Sequence, residues 1–536
     1  MRKVINELKY TNTNHPLDEY DFSIPTDGLH NEERKKLLEA YSNFISEQKK
    51  RFVGYQVNQK MEYESDTKQF LNCHINNVGD PYTPGNFTVN SKEMEKAVLD
   101  YYAKLWHAKL PHNQSDPESY WGYALTMGSS EGNIYGLWNA RDYLAGRKLI
   151  VDKPTANKPV RPRRQKYLKP VMQKDEKAYT PVAFYSQDTH YSIVKAIRVL
   201  AIDTFYDVGS KYYKGKNPID PEGSWDGYEE VPSKGGDKGF GVIDVDKLEK
   251  LVEFFASEGY PILINLNYGS TFKGAYDDVQ EVEKRLMPIF KKYSLVNRKV
   301  VYDKETRQFD YRNGFWIHVD GALGAAYMPF LEMANKKDPS VKHGPIFDFR
   351  LPGVNSIVMS GHKWPGAPWP CGIFMTKVKY QITPPADPEY LGSPDSTFAG
   401  SRSGLTPIIL WDYLAKHSYQ KQIDLALQCD EMAEYAFKQL KTVETSHKDL
   451  DLYVERSPLA VTVRFRKPND KIIFKYSLSC ETRKVNGVRR HYAHLFAMVS
   501  TTKETIEELV KDLKAADAFE TKEGKLIALQ RDQGWR

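Results

Sequence analysis

The sequence predicts an α/β fold, a mostly parallel sheet flanked by helices, followed by a smaller α+β domain. Three observations predict it. Short apolar runs with strand character recur at Val182–Tyr185, Ile262–Leu266, Trp316–Val319, Ile357–Met359 and Gly372–Met375. Helical spacing lies between them, and runs that are apolar throughout suit strands buried on both faces, as parallel strands are. After about residue 385 the pattern changes to a long helix, then strands, then a terminal helix.

Taken in order, residues 31–50 read as a charged helix with Leu37, Leu38, Tyr41 and Phe44 on one face. Turn-rich stretches follow, Asn76-Asn77-Val78-Gly79-Asp80-Pro81 and Pro84-Gly85-Asn86, and then a helix pattern at Met94, Val98, Tyr101 and Leu105. The clearest helix opens at Asp246-x-x-Glu249, read as a capping box. It continues through Leu248, Leu251, Val252 and Phe255, and Gly259 is placed to end it. Two stretches break the alternation: 152–180, which contains Arg161-Pro162-Arg163-Arg164, and 206–240, with Gly, Pro, Tyr and charges. Both read as solvated surface insertions, with an anionic partner site as the alternative. Beyond 385 the spacing predicts a helix over 405–442 and strands at 459–466, 471–478 and 489–499. A hairpin turn is expected at Val485-Asn486-Gly487-Val488, and Thr501-x-x-Glu504 is expected to open the last helix. The resulting division is 1–95, 96–385 and 386–536.

Composition narrows the function classes. The 536 residues are 40% hydrophobic and 27% charged, the balance of a soluble globular protein. A net charge of +6 over this length is too dilute for a nucleic-acid surface. No run approaches a membrane span, and the polar first thirty residues lack a signal core, so the expected location is cytoplasmic. Cys73, Cys371, Cys429 and Cys480 lie far apart without CxxC spacing, which points to reduced thiols and to no metal site.

The residues that carry chemistry sit at strand ends, where open α/β sheets bind ligands. Lys363, in Ser360-Gly361-His362-Lys363, follows the strand Ile357–Met359. A partly desolvated lysine amine can bond covalently to a carbonyl cofactor. Asp320 ends the run Phe315–Val319 and is followed by Gly321-Ala322. It can pair with a protonated ring nitrogen or cap the next helix. Gly128-Ser129-Ser130-Glu131-Gly132-Asn133 precedes an apolar helix pattern, so small residues open a helix where a phosphate or a plain cap could sit. His190, in Asp188-Thr189-His190-Tyr191-Ser192, follows Val182–Tyr185. It could stack on a planar cofactor or be a structural loop histidine.

Together these motifs resemble those of the group II pyridoxal-phosphate amino-acid decarboxylases, nearest the histidine and serine decarboxylase branch and its larger methionine and valine decarboxylases. The resemblance runs from about Asn76 to Thr501. It includes Ile75 to Pro81, Gly128 to Asn133, Thr189 to Ser192 and His318-Val319-Asp320-Gly321-Ala322. Ser360 to Lys363, Pro370-Cys371-Gly372 and Gly400-Ser401-Arg402-Ser403-Gly404 complete it.

It implies the fold-type I architecture of pyridoxal-phosphate enzymes and a homodimer with shared active sites, residues 1–95 wrapping the dimer. Lys363 would be the Schiff-base lysine, Asp320 would pair with the pyridine nitrogen, and Ala322 and His190 would lie on opposite ring faces. Ser129, Ser130, Ser360 and His362 would contact the phosphate, and Ser270 and Thr271 would lie beside the cofactor. Ser401 and Arg402 would serve the neighbouring subunit's site. Substrate contacts would come from His190, Tyr82 and Asn77.

The implied reaction releases CO2 and an amine from an L-amino acid, with His190, Tyr82 and Tyr390 as candidate proton donors. The apolar Trp364-Pro365-Gly366-Ala367-Pro368-Trp369 beside the lysine leans the substrate toward methionine, valine or leucine, with histidine or serine as the alternative. Packing in the core is the other reading of both tryptophans. A carbon–carbon lyase or aminotransferase of the same fold, or a non-catalytic scaffold, would share parts of the constellation.

Overall fold

In the computed structural model the described residues are 15–151, 165–171, 176–303, 305, 308–381, 384, 388–485 and 487–519. Seven strands form the central sheet: β1 (Tyr120–Leu125), β2 (Val182–Phe184), β3 (Asp203–Thr204), β4 (Ile262–Asn267), β5 (Phe315–Asp320), β6 (Val354–Ser360) and β7 (Gly372–Lys377). Their order is β1-β7-β6-β5-β4-β2-β3. Only β7 runs against the others, pairing antiparallel with both β1 and β6. The carboxyl ends of the remaining six therefore share one edge.

Every residue of β1, β2, β4, β5 and β6 is buried, which is why apolar residues predominate along them. The five expected strands are all present. β1 had not stood out in the sequence, since Tyr120-Trp121-Gly122-Tyr123 mixes aromatics with a glycine. That glycine is required, because a Cβ on Gly122 would lie 2.4 Å from the Phe374 carbonyl of β7.

Two helices matter for the site: α1 (Ser129–Leu144), after β1, and α2 (Tyr191–Leu200), after β2. The helix expected near residue 246 spans Val245–Ser257, but its cap is Asp244, whose side chain accepts from the Lys247 amide. Asp246 and Glu249 instead pair with Arg285. Gly259 follows its end at φ +90°.

The stretch 206–240 is not the solvated loop expected. Thr204 and Asp207 form a capping box for helix Phe205–Tyr212, and Phe205, Val208, Trp225, Val231 and Ser233 are buried. The Phe184 and Phe205 rings stack at 5.5 Å, so the insertion packs on β2. Of the first insertion, Gln165–Leu168 pairs with Lys148–Val151 as an antiparallel ribbon. Its Arg161–Arg164 motif lies outside the described residues.

The described chain divides into two units: 56–430 with 456–460, and 15–55 with 431–455 and 461–519. The divisions fall elsewhere than at 95 and 385. Segments 56–95 and 386–430 belong to the larger unit because they bond to one another, as where the Asn77 amide donates to the Arg402 carbonyl at 3.0 Å.

The smaller unit holds the helix Asn31–Lys50 and a three-stranded antiparallel sheet of β8 (Thr462–Arg466), β9 (Ser479–Val485) and β10 (Val488–Phe496). Val485 pairs with Val488 across the expected hairpin turn, where Gly487 takes φ +80° and Asn486 lies outside the described residues. Residues 471–478, expected as a strand, are mostly the helix Asp470–Tyr476. Asn469 caps it by accepting from the Ile472 amide, and Ser477 ends it in the left-handed region, so local capping outweighs the strand preference of Ile472-Ile473-Phe474. The long helix expected over 405–442 is two, Leu405–Lys416 and Tyr419–Val443. The last helix, Lys503–Leu513, is capped by Thr502 rather than Thr501, whose hydroxyl donates to the Phe496 carbonyl.

Candidate active site

The shared edge of carboxyl ends carries a cavity of about 230 Å³ lined by residues from five strand ends. Ser129 and Ser130 follow β1, His190 and Tyr191 follow β2, Asn267 ends β4, and Gly269, Ser270 and Thr271 follow it. Asp320 and Ala322 come from β5, and Ser360, His362 and Lys363 from β6, with Met127 and Pro370 completing the lining. Ten of the residues picked out in the sequence thus meet in one place, drawn from positions 129 to 363. Parallel pairing brings them together, because each crossover returns the chain to the same edge.

Lys363 is the cavity's base. Its Nζ donates to Gln56 Oε1 at 2.8 Å, and burial brings its amine down to about 8 despite the opposing pull of Asp320. Asp320 is 6% exposed. Its Oδ2 accepts from Asn133 Nδ2 at 2.9 Å and its Oδ1 from the Ala322 amide at 3.2 Å. Behind it, Asn133 Oδ1 lies 2.9 Å from His318 Nε2, and His318 Nδ1 lies 2.7 Å from Ser356 Oγ. Burial holds the His318 ring down at about 4, so it is neutral and donates from Nε2 to the amide oxygen.

His190 caps α2, its Nδ1 lying 2.8 Å from Ser192 Oγ and 3.3 Å from the Ser192 amide. Burial also lowers its pKa, outweighing the attraction of Asp320. At the opposite wall, Gly128 takes φ +69° at the start of α1. A Cβ there would lie 2.7 Å from His362 Cε1 and 3.6 Å from Ser360 Oγ. Ser129 Oγ and Ser360 Oγ are 2.7 Å apart, and the Ser129 amide also donates to Ser360 Oγ. Hydroxyls and backbone N–H groups therefore converge at the positive end of a sixteen-residue helix.

Several expected residues lie elsewhere. The Asn77 side chain is consumed by structure, donating to Glu95 Oε2 at 2.7 Å and accepting from the Ser91 amide at 2.8 Å. Tyr82 stacks on His112 with centroids 3.5 Å apart, and Tyr390 is exposed. Ser401 accepts from Asn76 Nδ2, and the buried Arg402 guanidinium is committed to Glu95. Of the two tryptophans near Lys363, Trp364 is buried against Tyr327 at 4.9 Å and donates to Gln422, while Trp369 donates to Thr406. Neither lines the cavity, so they pack rather than wall the substrate space. Sequence reasoning missed Gln56, which lies 307 positions from Lys363 without a motif. It had Asn133 and His318 inside motifs but gave them no role.

Residues 232–443 match the conserved domain of pyridoxal-dependent decarboxylases. The chain is 30% identical to histidine decarboxylase of Solanum lycopersicum over 484 residues, covering 90% of this chain and 89% of that protein. The chain belongs to the pyridoxal-dependent decarboxylase family.

Another relative, serine decarboxylase 2 of Oryza sativa subsp. japonica, is 26% identical over 95% of this chain and 85% of its own. Among solved structures, L-methionine decarboxylase from Streptomyces sp. 590 superposes with a TM-score of 0.85 at 46% identity, covering 93% of this chain and 97% of that one. As a pyridoxal-dependent decarboxylase the protein is a fold-type I enzyme that uses pyridoxal phosphate to decarboxylate an amino acid. The cavity suits that cofactor on its own terms: it offers a partly neutral amine, a buried carboxylate and paired hydroxyls at a helix N-terminus, which a Cβ on Gly128 would crowd. Among the described residues no helix is long and apolar enough to cross a membrane.

Proposed function

We propose that Lys363 bonds the cofactor, Asp320 pairs with its ring nitrogen, and Ala322 and His190 enclose the ring. Ser129, Ser130, Ser360 and His362 take the phosphate, with Ser270 and Thr271 alongside. The convergence of Lys363, Asp320 and the Ser129–Ser360 hydroxyl pair on one cavity carries this reading. When bound, pyridoxal phosphate supplies an electron sink for the breaking Cα–carboxylate bond. Asp320, fixed by Asn133 and the Ala322 amide, holds a proton at the ring nitrogen. His190, whose Nδ1 is engaged by Ser192, keeps Nε2 for the substrate carboxylate and then for delivery of a proton to Cα. Of the three candidate acids it is the one that lines the cavity. Lys363 returns its amine to release the product.

The substrate we infer is an L-amino acid with an unbranched or branched aliphatic side chain, methionine first. This rests on the 46% identity to an L-methionine decarboxylase. Met127, Tyr191 and Pro370 supply the apolar rim that the two tryptophans do not. Amine formation from each of the twenty L-amino acids tests it: methionine, valine or leucine should lead, and a preference for histidine or serine would reverse the assignment.

We also propose a cytoplasmic homodimer whose partner subunit meets Ser401 and the 1–95 segment. Support comes from the apolar surface formed by Phe70, Leu71, Pro368, Trp369, Ile408 and Ile409, and from four free thiols. Light scattering of the purified enzyme would give the mass of two chains.

A further inference from the structure

Lys273 and Asp188 form a buried ion pair. Nζ and Oδ2 are 3.3 Å apart and each side chain is 2% exposed. Burying two charges is costly, and a well-packed neutral pair is often at least as stable, so such a pair calls for a role besides stability. Its position suggests one. Asp188 precedes His190 by two residues, and Lys273 follows Thr271 by two. The turn bearing Ser270 and Thr271 is closed on itself: the Gly269 and Ser270 amides donate to the Ala275 carbonyl at 2.8 and 2.9 Å, and the Ala275 amide donates to Ser270 Oγ at 3.0 Å. The ion pair therefore ties the wall that carries His190 to the wall that carries Ser270 and Thr271.

The second insertion completes the tie. Its residue Val231 pairs with the chain leaving β2, the Val231 amide donating to the Tyr185 carbonyl at 2.9 Å and the Gln187 amide to the Val231 carbonyl at 3.0 Å. Two residues on, Ser233 Oγ donates to Asp188 Oδ2 at 2.7 Å. Lys273 Nζ also reaches the Asp237 carbonyl at 3.5 Å. Gly241 takes φ +91°, and a Cβ there would lie 2.7 Å from Lys273 Cδ and 3.3 Å from Asp188 Cγ. A side chain at Gly241 would press on the pair, both of whose side chains are 2% exposed.

We propose that Asp188 and Lys273 are positioning residues of the cofactor site, and that the 206–240 insertion, with Gly241 just beyond it, serves that site by holding the pair dry and in register. The inference rests on the reading of His190, Ser270 and Thr271 as cofactor contacts.

The test is titration of the apoenzyme with pyridoxal phosphate, followed by protein fluorescence, alongside melting temperature and the split between kcat and KM. Lys273→Met leaves Asp188 buried without its cation and should lower both melting temperature and cofactor affinity. The double variant Asp188→Asn with Lys273→Met removes both charges at similar volume. Its melting temperature should return near wild type. Its cofactor affinity should stay about tenfold or more below wild type, since displacement of site groups by ~1 Å costs that much or more. Affinity equal to wild type in the double variant would overturn the proposal. Should the double variant fail to fold, Ser233→Ala decides: weakened cofactor affinity with kcat falling more than KM rises is expected, and unchanged affinity and kcat overturn it. A wild-type apoenzyme that takes up no pyridoxal phosphate would defeat the reading of the cavity itself, which separates the two failures.

Discussion

Asn133 Nδ2 lies 2.9 Å from Asp320 Oδ2 and 3.0 Å from Ser192 Oγ. One amide group is thus bonded to the cavity's acid and, through Ser192, to its histidine. Its oxygen faces the neutral His318, so each polar atom of the Asn133 side chain has a partner in a fully buried setting. Asn133→Ala should lower kcat about 10- to 100-fold, the range expected when a hydrogen bond to a charged group worth about 1.5–3 kcal/mol is lost. Steady-state amine formation would show it, and a variant within twofold of wild type would mean that Asp320 is held without it.

Asp320→Asn keeps the shape of the acid and removes its charge. Loss of one preorganised charge-stabilising group costs about 10²–10³ in kcat. That fall should appear with the cofactor still bound, as judged by its visible absorbance in the purified variant. Lys363→Ala, in contrast, should abolish both the lysine-bound chromophore and turnover.

The amine of Lys363 titrates near 8 because it is buried. Only the neutral amine attacks a carbonyl. Cofactor capture by the apoenzyme should therefore speed up as pH rises through about 8 and level off above it, whereas an ordinary lysine would still be accelerating at 10. Stopped-flow absorbance checks this. Gln56→Ala removes the carbonyl that accepts from the ammonium, so the midpoint should move down.

His318 and His362 are both held at about 4 by burial, against 6.5 when free. Between those values the unfolded chain takes up protons that the folded chain refuses, so stability is full above pH 6.5 and falls as pH drops toward 4. At about 1.4 kcal/mol per unit, His318 alone accounts for about 3 kcal/mol of that fall. Melting curves across this range should decline steeply for wild type and less so for His318→Gln.

Trp364 is a core residue, 1% exposed. Trp364→Ala should cost about 3–5 kcal/mol in unfolding free energy. Among folded molecules the order of preference across a substrate panel should be unchanged, because the ring does not line the cavity.

Local pattern was a good guide to the strands and a poorer one to the caps. Asp244 and Thr502 cap their helices where Asp246 and Thr501 were expected, since adjacent side chains of equal capping ability are separated only by backbone geometry. Ile472-Ile473-Phe474 became helical under Asn469. The 206–240 stretch looked solvated because its Gly, Pro and charges outnumber the few residues, Phe205, Trp225 and Val231, that anchor it.

Read by itself, the sequence determined which residues are candidates for chemistry. Lys363, Asp320 and His190 each follow an apolar run and the Gly128–Asn133 motif precedes one, and that depends only on near neighbours. The tertiary structure decided which of them meet. Strand order and direction bring positions 129, 190, 320 and 363 to one edge. The same packing turns Asn77, Arg402 and Trp364 into scaffold, and places Gln56, Asn133 and the Asp188–Lys273 pair at or behind the cavity. Contacts between residues hundreds of positions apart arise from sheet pairing and burial, which no local spacing records.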